Sequence, residues 1–214
     1  ENDSDFRITD EARIAEMYTR KQNVFTENQI FPKLCVEDLD TNIFDKVKSR
    51  IALVNAGHPW LASDYTNERI LRDARFLRRD FTTGEEGLTL AAALVFGTDE
   101  VIGNLLPAYR IDILVRRESK DRYDDRLILK TNLIDSYLQA LQFIKKQWPE
   151  KFWQDRDGNR KDLRELIFRE LVANVIIHRE YNSAASTEII IYDDRVEATN
   201  PNRSRFTGPL DLET

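Results

Sequence analysis

Apolar residues along this chain keep a helical period in some stretches and a strand period in others. In ITDEARIAEMYTRKQ, Thr9 stands at a capping position, with Ala12, Ile14, Ala15 and Tyr18 behind it, which predicts a helix. From Glu37 to Val54, Leu39, Ile43, Phe44, Val47, Ile51 and Val54 repeat at helical spacing. Gly57 and Pro59 then close that helix. A third helix is predicted from a Ser63 or Asp64 cap to about Arg79. The pattern changes after 82–87, TTGEEG, the strongest internal boundary. LTLAAALVF (88–96) is apolar with three alanines, which favours helix. RIDILVR (110–116) alternates and is rich in β-branched residues, as a strand does, and Leu127 to Leu129 is a second short strand. Asn132 to Trp148 returns to helical spacing, and a loop covers 149–160. Asp162, with Glu165 three residues on, predicts a capping box for the helix through Tyr181. The segments 187–192 and 195–199 flank Asp193-Asp194 and predict a tight hairpin.

These elements predict an α+β protein: a helical N-terminal segment over 1–86, followed by a two-layer α/β sandwich over 87–214. The chain starts without Met and ends in mid-pattern, so a segment of a longer protein is expected.

The helix over 163–181 carries the most informative chemistry. Wound at 100° per residue, Glu170, Asn174 and His178 fall within about 80° of one another. Leu163, Leu166, Ile167, Leu171 and Ile177 surround them on that arc, and between Leu171 and Ile177 every residue but Asn174 is apolar. Burial of this half of the helix is therefore expected, and a carboxylate, an amide and an imidazole there need partners. One reading is a satisfied structural network. The other is a nucleotide–Mg²⁺ site, because Mg²⁺ favours oxygen ligands and a Glu one turn earlier can activate water.

Composition narrows the alternatives. Of 214 residues, 41% are hydrophobic and 33% charged, and the formal net charge is −6, which argues against strong non-specific nucleic-acid binding by this chain alone. Arg69, Arg72, Arg75 and Arg78 recur every three residues beside Arg79. They read as a solvated helix face or as a phosphate-contacting edge. Cys35 is the single cysteine, which excludes an intramolecular disulfide and favours a cytoplasmic setting; a small buried hydrophobe is expected there. No apolar run is long enough to span a bilayer. With His58 and His178 the only histidines, zinc is disfavoured. DRDGN (155–159) lacks the twelfth-position Glu of a calcium loop, since Leu166 stands there. Neither a P-loop nor a G-x-S-x-G elbow is present.

RELVANVIIHREY followed by EIIIYDDRVEATNP resembles the RecG-like C-terminal domain of bacterial and archaeal transcriptional regulators. That domain is a divergent relative of the histidine-kinase/gyrase/MutL (GHKL) ATPase fold and commonly follows a Schlafen-type AlbA DNA-binding domain. MYTRKQNVFTEN, LTLAAALVFG and AYRIDILVRR add to the resemblance, which is strongest from Leu88 to Pro201. The resemblance implies Glu170 as the water-activating base, Asn174 as the Mg²⁺ ligand and His178 as a neighbour of the nucleotide. Asn200 and Asn202 stand where the relatives carry the Asp and Gly of an adenine-reading Asp-x-Gly. It also implies ATP and Mg²⁺ as cofactors and a DNA-associated regulator whose DNA contacts lie mainly outside this chain. A purely structural or homodimerising module is the remaining alternative.

Overall fold

The computed structural model describes residues 25–81, 83–117, 122–148, 152–154 and 156–201, with 152, 153 and 160–165 described by backbone alone. The expected N-terminal helix and Asn202 lie outside the described residues. The architecture is mixed α and β, with the described strands in sheets of three, four and two.

The N-terminal part packs helix α1 (Thr41–Val54) and helix α2 (Asn67–Asp73) around a small antiparallel sheet. That sheet has the order β1 (Ile30–Phe31), β3 (Glu86–Thr89), β2 (Leu77–Arg79). Asp40 caps α1 by accepting the Asn42 N–H, which satisfies one of the donors a helix start leaves unpaired. Helix α2 is much shorter than its spacing predicts. It is capped at Thr66 and stops at Asp73. Arg75 then adopts φ 59°, the Phe76 N–H donates to the Leu71 carbonyl and the Arg75 N–H to the Arg72 carbonyl. This is a Schellman stop with an arginine where glycine is the favoured residue. Arg75→Gly is expected to stabilise the fold by about 0.5–1 kcal/mol, because it relieves the left-handed penalty but loosens the unfolded chain. A urea titration with an unchanged slope checks this.

The predicted division at 86/87 falls within the β2–β3 hairpin. One core of Leu39, Ile43, Phe44, Ile70, Leu71, Leu88, Ala92 and Phe96 spans it. LTLAAALVF divides at Thr89: its first residues pair in β3, and helix α3 (Leu90–Phe96) follows a Thr89 cap. Helix α3 is buried on nearly all sides, which its three alanines permit. Ala92 and Phe96 enter the first core, whereas Leu90 and Leu94 enter the second. Helix α4 (Asp99–Leu105) leads on from it.

The second core lies under a four-stranded sheet in the order β5 (Asp125–Leu129), β4 (Ile111–Val115), β8 (Thr187–Ile191), β9 (Val196–Thr199). Strands β4 and β8 are parallel and the outer pairs antiparallel. Helices α5 (Leu133–Gln147) and α6 (Leu163–Ile177) belong to the crossover between β4 and β8 and pack on one face, with Ile113, Ile189 and Ile191 beneath them. The interval expected as loop holds a small hairpin of β6 (Phe152–Gln154) and β7 (Arg160–Asp162). On the other face, Asp112 is buried and accepts from Arg126 at 2.8 Å and Arg110 at 3.0 Å. Cys35 is exposed, not buried, because it precedes a short surface turn and caps it.

Candidate functional site

Helix α6 buries Phe168, Val172, Val175 and Ile176 against the second core. That choice rotates the Glu170 arc outward. Glu170, Asn174 and His178 are all exposed, which corrects the expectation that they lie in an apolar interior. The helix is apolar on more of its circumference than one sheet can cover, so Leu166, Ile167 and Ile177 remain 54%, 57% and 68% exposed. The i, i+4 geometry itself holds: Asn174 Nδ2 donates to Glu170 Oε1 at 3.2 Å. His178 lies one residue beyond the helix end, its N–H still donating to the Asn174 carbonyl at 3.0 Å. The trio is thus brought to one face, but that face is open to water.

Asn200, at the end of β9, sits beside α6 and is engaged inward. Its Nδ2 donates to the Val175 carbonyl at 2.9 Å, and its Oδ1 accepts from Thr187 Oγ1 at 2.7 Å. Thr187 Oγ1 in turn accepts from Arg179 Nη1 at 2.6 Å, and Arg179 Nη2 donates to the Ala185 carbonyl at 2.9 Å. Arg179 is 4% exposed, and its Nε has no hydrogen-bond partner among the described residues. The guanidinium lies 5.6 Å from the Tyr109 ring centroid and 5.9 Å from that of Tyr181, within cation–π range. Burial depresses the Arg179 pKa and raises those of the Tyr109 and Tyr181 hydroxyls. Both rings are hydrogen-bonded at their tips: Tyr181 donates to the Ile176 carbonyl at 2.8 Å, and Tyr109 shares a 3.5 Å bond with Ser136. Next in the chain, Glu180 takes the Pro201 carbonyl on its N–H at 2.7 Å and the Thr26 hydroxyl on Oε1 at 2.9 Å.

Arg179 and Thr187 were not singled out by pattern. The available signal was an arginine two residues after an apolar helical run, and a threonine opening a strand of isoleucines. Neither reveals its partner until the chain is folded.

The arginine row does not survive as one helical edge. Arg69 and Arg72 lie on α2, Arg75 lies just past its end, and Arg78 and Arg79 are on β2. Arg72 pairs with Glu86 at 2.6 Å and Glu68 at 3.0 Å, and these carboxylates raise its pKa, Glu86 foremost. Arg78 donates to Asn28 Oδ1, Arg79 to the Gly84 carbonyl, and Arg69 covers the Tyr65 ring. The five side chains are exposed, but four of them already have protein partners.

A shallow cleft of about 340 Å³ is lined by Arg117, Lys146, Trp148, Tyr192 and Asp193. It lies at the far end of β8 from Asn200. No described group of three His, Cys, Asp or Glu side chains is arranged to hold a metal, and no described helix is long and apolar enough to cross a membrane.

No curated protein matches this chain. Residues 15–112 match the model of a domain of unknown function, DUF8451, which ends before helix α6. Among solved structures, the chain is similar to the DIP2311 protein from Corynebacterium diphtheriae, with a TM-score of 0.59 and 16% identity. The match covers 92% of this chain and 37% of that one. At that identity the likeness is one of fold.

Proposed function

We propose that this chain is a structural module of a DNA-associated transcriptional regulator, built on a degenerate GHKL-type ATPase fold that neither binds nor hydrolyses ATP. The reading rests on the engagement of Asn200. Adenine recognition at this strand end needs a side chain free to accept from an exocyclic amine. Here Oδ1 accepts from Thr187 and Nδ2 donates to the Val175 carbonyl, so the amide is held against α6 and β8 with one Oδ1 lone pair already engaged. The Glu170–Asn174 pair, which the resemblance makes base and Mg²⁺ ligand, stands in water with Asn174 bonded to Glu170. Without a dry enclosure, such groups lose most of their electrostatic leverage on a phosphoryl group. The DNA-associated part of the reading comes from the resemblance to regulators with AlbA-type domains, and the contacts to DNA are assigned mainly to regions outside this chain. The exposed apolar arc of α6 favours a module that docks other protein segments over one that holds a small ligand.

Thermal melts with millimolar Mg-ATP test this. A ligand that binds only the folded state at a hundred times its Kd stabilises by about 2.7 kcal/mol. No shift in melting temperature is expected. A shift in the wild type that Asn174→Ala abolishes would instead establish a Mg²⁺-dependent nucleotide switch, with Glu170 and Asn174 in the roles the resemblance implies.

A further inference from the structure

The carboxyl ends of β4 and β8 lie side by side, because the two strands are parallel and pair from Ile111 and Thr187 to Val115 and Ile191. Open sheets with helical crossovers place ligands at that edge, where the segments leaving the strands converge. The cleft of about 340 Å³ opens there. Arg117 follows β4 by two residues, and Tyr192 and Asp193 follow β8 directly. Lys146 and Trp148 come from the end of α5. Backbone bonds fix this frame: the Arg116 N–H donates to the Ile191 carbonyl at 2.8 Å, and the Arg117 N–H to Asp124 Oδ2 at 2.6 Å. Trp148 is anchored as well. Its N–H donates to the Ile144 carbonyl at 2.9 Å, and its ring meets Phe168 edge-on with 6.0 Å between centroids.

The charges that line the cleft do not cancel. Arg117 pairs loosely with Asp193, Nε to Oδ1 at 3.5 Å. Lys146 is exposed and has no carboxylate partner among the described residues. Two cations against one carboxylate leave a place for a single negative charge. A nucleoside triphosphate carries more negative charge than these cations neutralise, and it would meet Asp193. The last-turn carbonyls of α5 also oppose an anion, so side chains must hold it, and Lys146 is the decisive one. The apolar part of the lining is aromatic. Trp148 and Tyr192 present rings suited to a planar partner, and Arg195 lies over the Tyr192 ring at 4.0 Å.

We infer that this cleft binds a small monocarboxylate carried on an aromatic ring, with the carboxylate on Lys146 and Arg117 and the ring against Trp148 and Tyr192. The site is separate from the exposed arc of α6 and lies at the opposite end of β8 from Asn200. The inference therefore goes beyond the proposed function and does not depend on the state of Asn200.

Titration of the full chain with phenylacetate tests it, followed through the Trp148 indole N–H in ¹H–¹⁵N spectra, with Trp148→Phe to assign that signal. A saturable shift with a Kd in roughly the millimolar range is expected for a ligand of about ten non-hydrogen atoms. Acetate carries only the anion and 2-phenylethanol only the ring, so each should bind about tenfold more weakly or worse. Lys146→Gln should weaken phenylacetate about tenfold, the loss of one charge-assisted hydrogen bond. Asp193→Asn should not weaken it. Both positions are exposed, so the fold is expected to persist. No saturable shift, an equal response to acetate or to 2-phenylethanol, or binding indifferent to Lys146→Gln would overturn the inference. Phenyl phosphate that binds about tenfold tighter than phenylacetate would overturn it too, because a dianion would then be the matching charge. Mg-ATP keeps the two readings apart. A Mg-ATP effect at Trp148 that Lys146→Gln removes would overturn the monocarboxylate assignment. One that Asn174→Ala removes would refute the nucleotide-free reading and leave the cleft's ligand as assigned.

Discussion

Arg179→Ala is expected to lower stability by about 3 kcal/mol in a urea titration. Two hydrogen bonds from a charged donor are lost, each worth about 1.5–3 kcal/mol, offset in part by release of the cost of burying the cation. The partners are the Thr187 hydroxyl at 2.6 Å and the Ala185 carbonyl at 2.9 Å. The truncation also leaves a void beside the Tyr109 and Tyr181 rings. Arg179→Lys should recover little, since one ammonium cannot reproduce a planar fork that spans two acceptors. Arg179→Met should do better than Ala, because it fills the space and removes a buried cation whose described hydrogen-bond partners are a hydroxyl and a carbonyl, not a carboxylate. A loss under about 1 kcal/mol for Ala would mean that the network is incidental to the fold.

Asn200→Asp is the second large effect, and it bears on the proposed absence of adenine recognition. Placing there the Asp carried by the ATPase fold that the chain resembles should cost about 2 kcal/mol at neutral pH and produce no nucleotide binding. The Val175 carbonyl accepts from Asn200 Nδ2 at 2.9 Å, and a carboxylate has nothing to donate there. It would leave one half-buried acceptor unpaired and set a second one against it. The sign with pH follows from linkage. Facing a carbonyl raises the folded-state pKa of the introduced carboxyl above its unfolded value of about 3.9. The protonated form can donate, so the deficit is smallest below that unfolded pKa and grows as pH rises through the folded one. The stability difference from wild type, measured across acid and neutral pH, checks both sign and size. A variant as stable as wild type at neutral pH that also gains an Mg-ATP-dependent shift would reverse the reading.

Much of the secondary structure was legible in advance because local chemistry announces it. Asn132 opens α5, the Asp193-Asp194 turn joins β8 to β9, and RIDILVR contains β4. Helix α2 was overextended because an arginine row at spacing three is compatible with a helix, whereas the stop at Arg75 depends on a left-handed residue that arginine does not advertise. β3 was hidden because LTLAAALVF is apolar throughout, and only its pairing with β1 and β2 separates strand from helix.

For the site, periodicity placed Glu170 and Asn174 on one face but not on the correct side. A helix apolar on most of its circumference has no clear inner face, and the sheet selected Phe168, Val172, Val175 and Ile176. The Arg179–Thr187–Asn200–Val175 chain was out of reach because its members lie 8, 13 and 25 residues apart, and each bond depends on tertiary placement.

The most direct test of the central claim is the Asn200 side-chain amide itself, observed by two-dimensional ¹H–¹⁵N spectroscopy with and without Mg-ATP. Two Nδ2 proton signals that are protected from solvent exchange and unmoved by nucleotide would match a carboxamide held between Val175 and Thr187. Signals that exchange freely, or that shift on saturable addition of Mg-ATP, would contradict it.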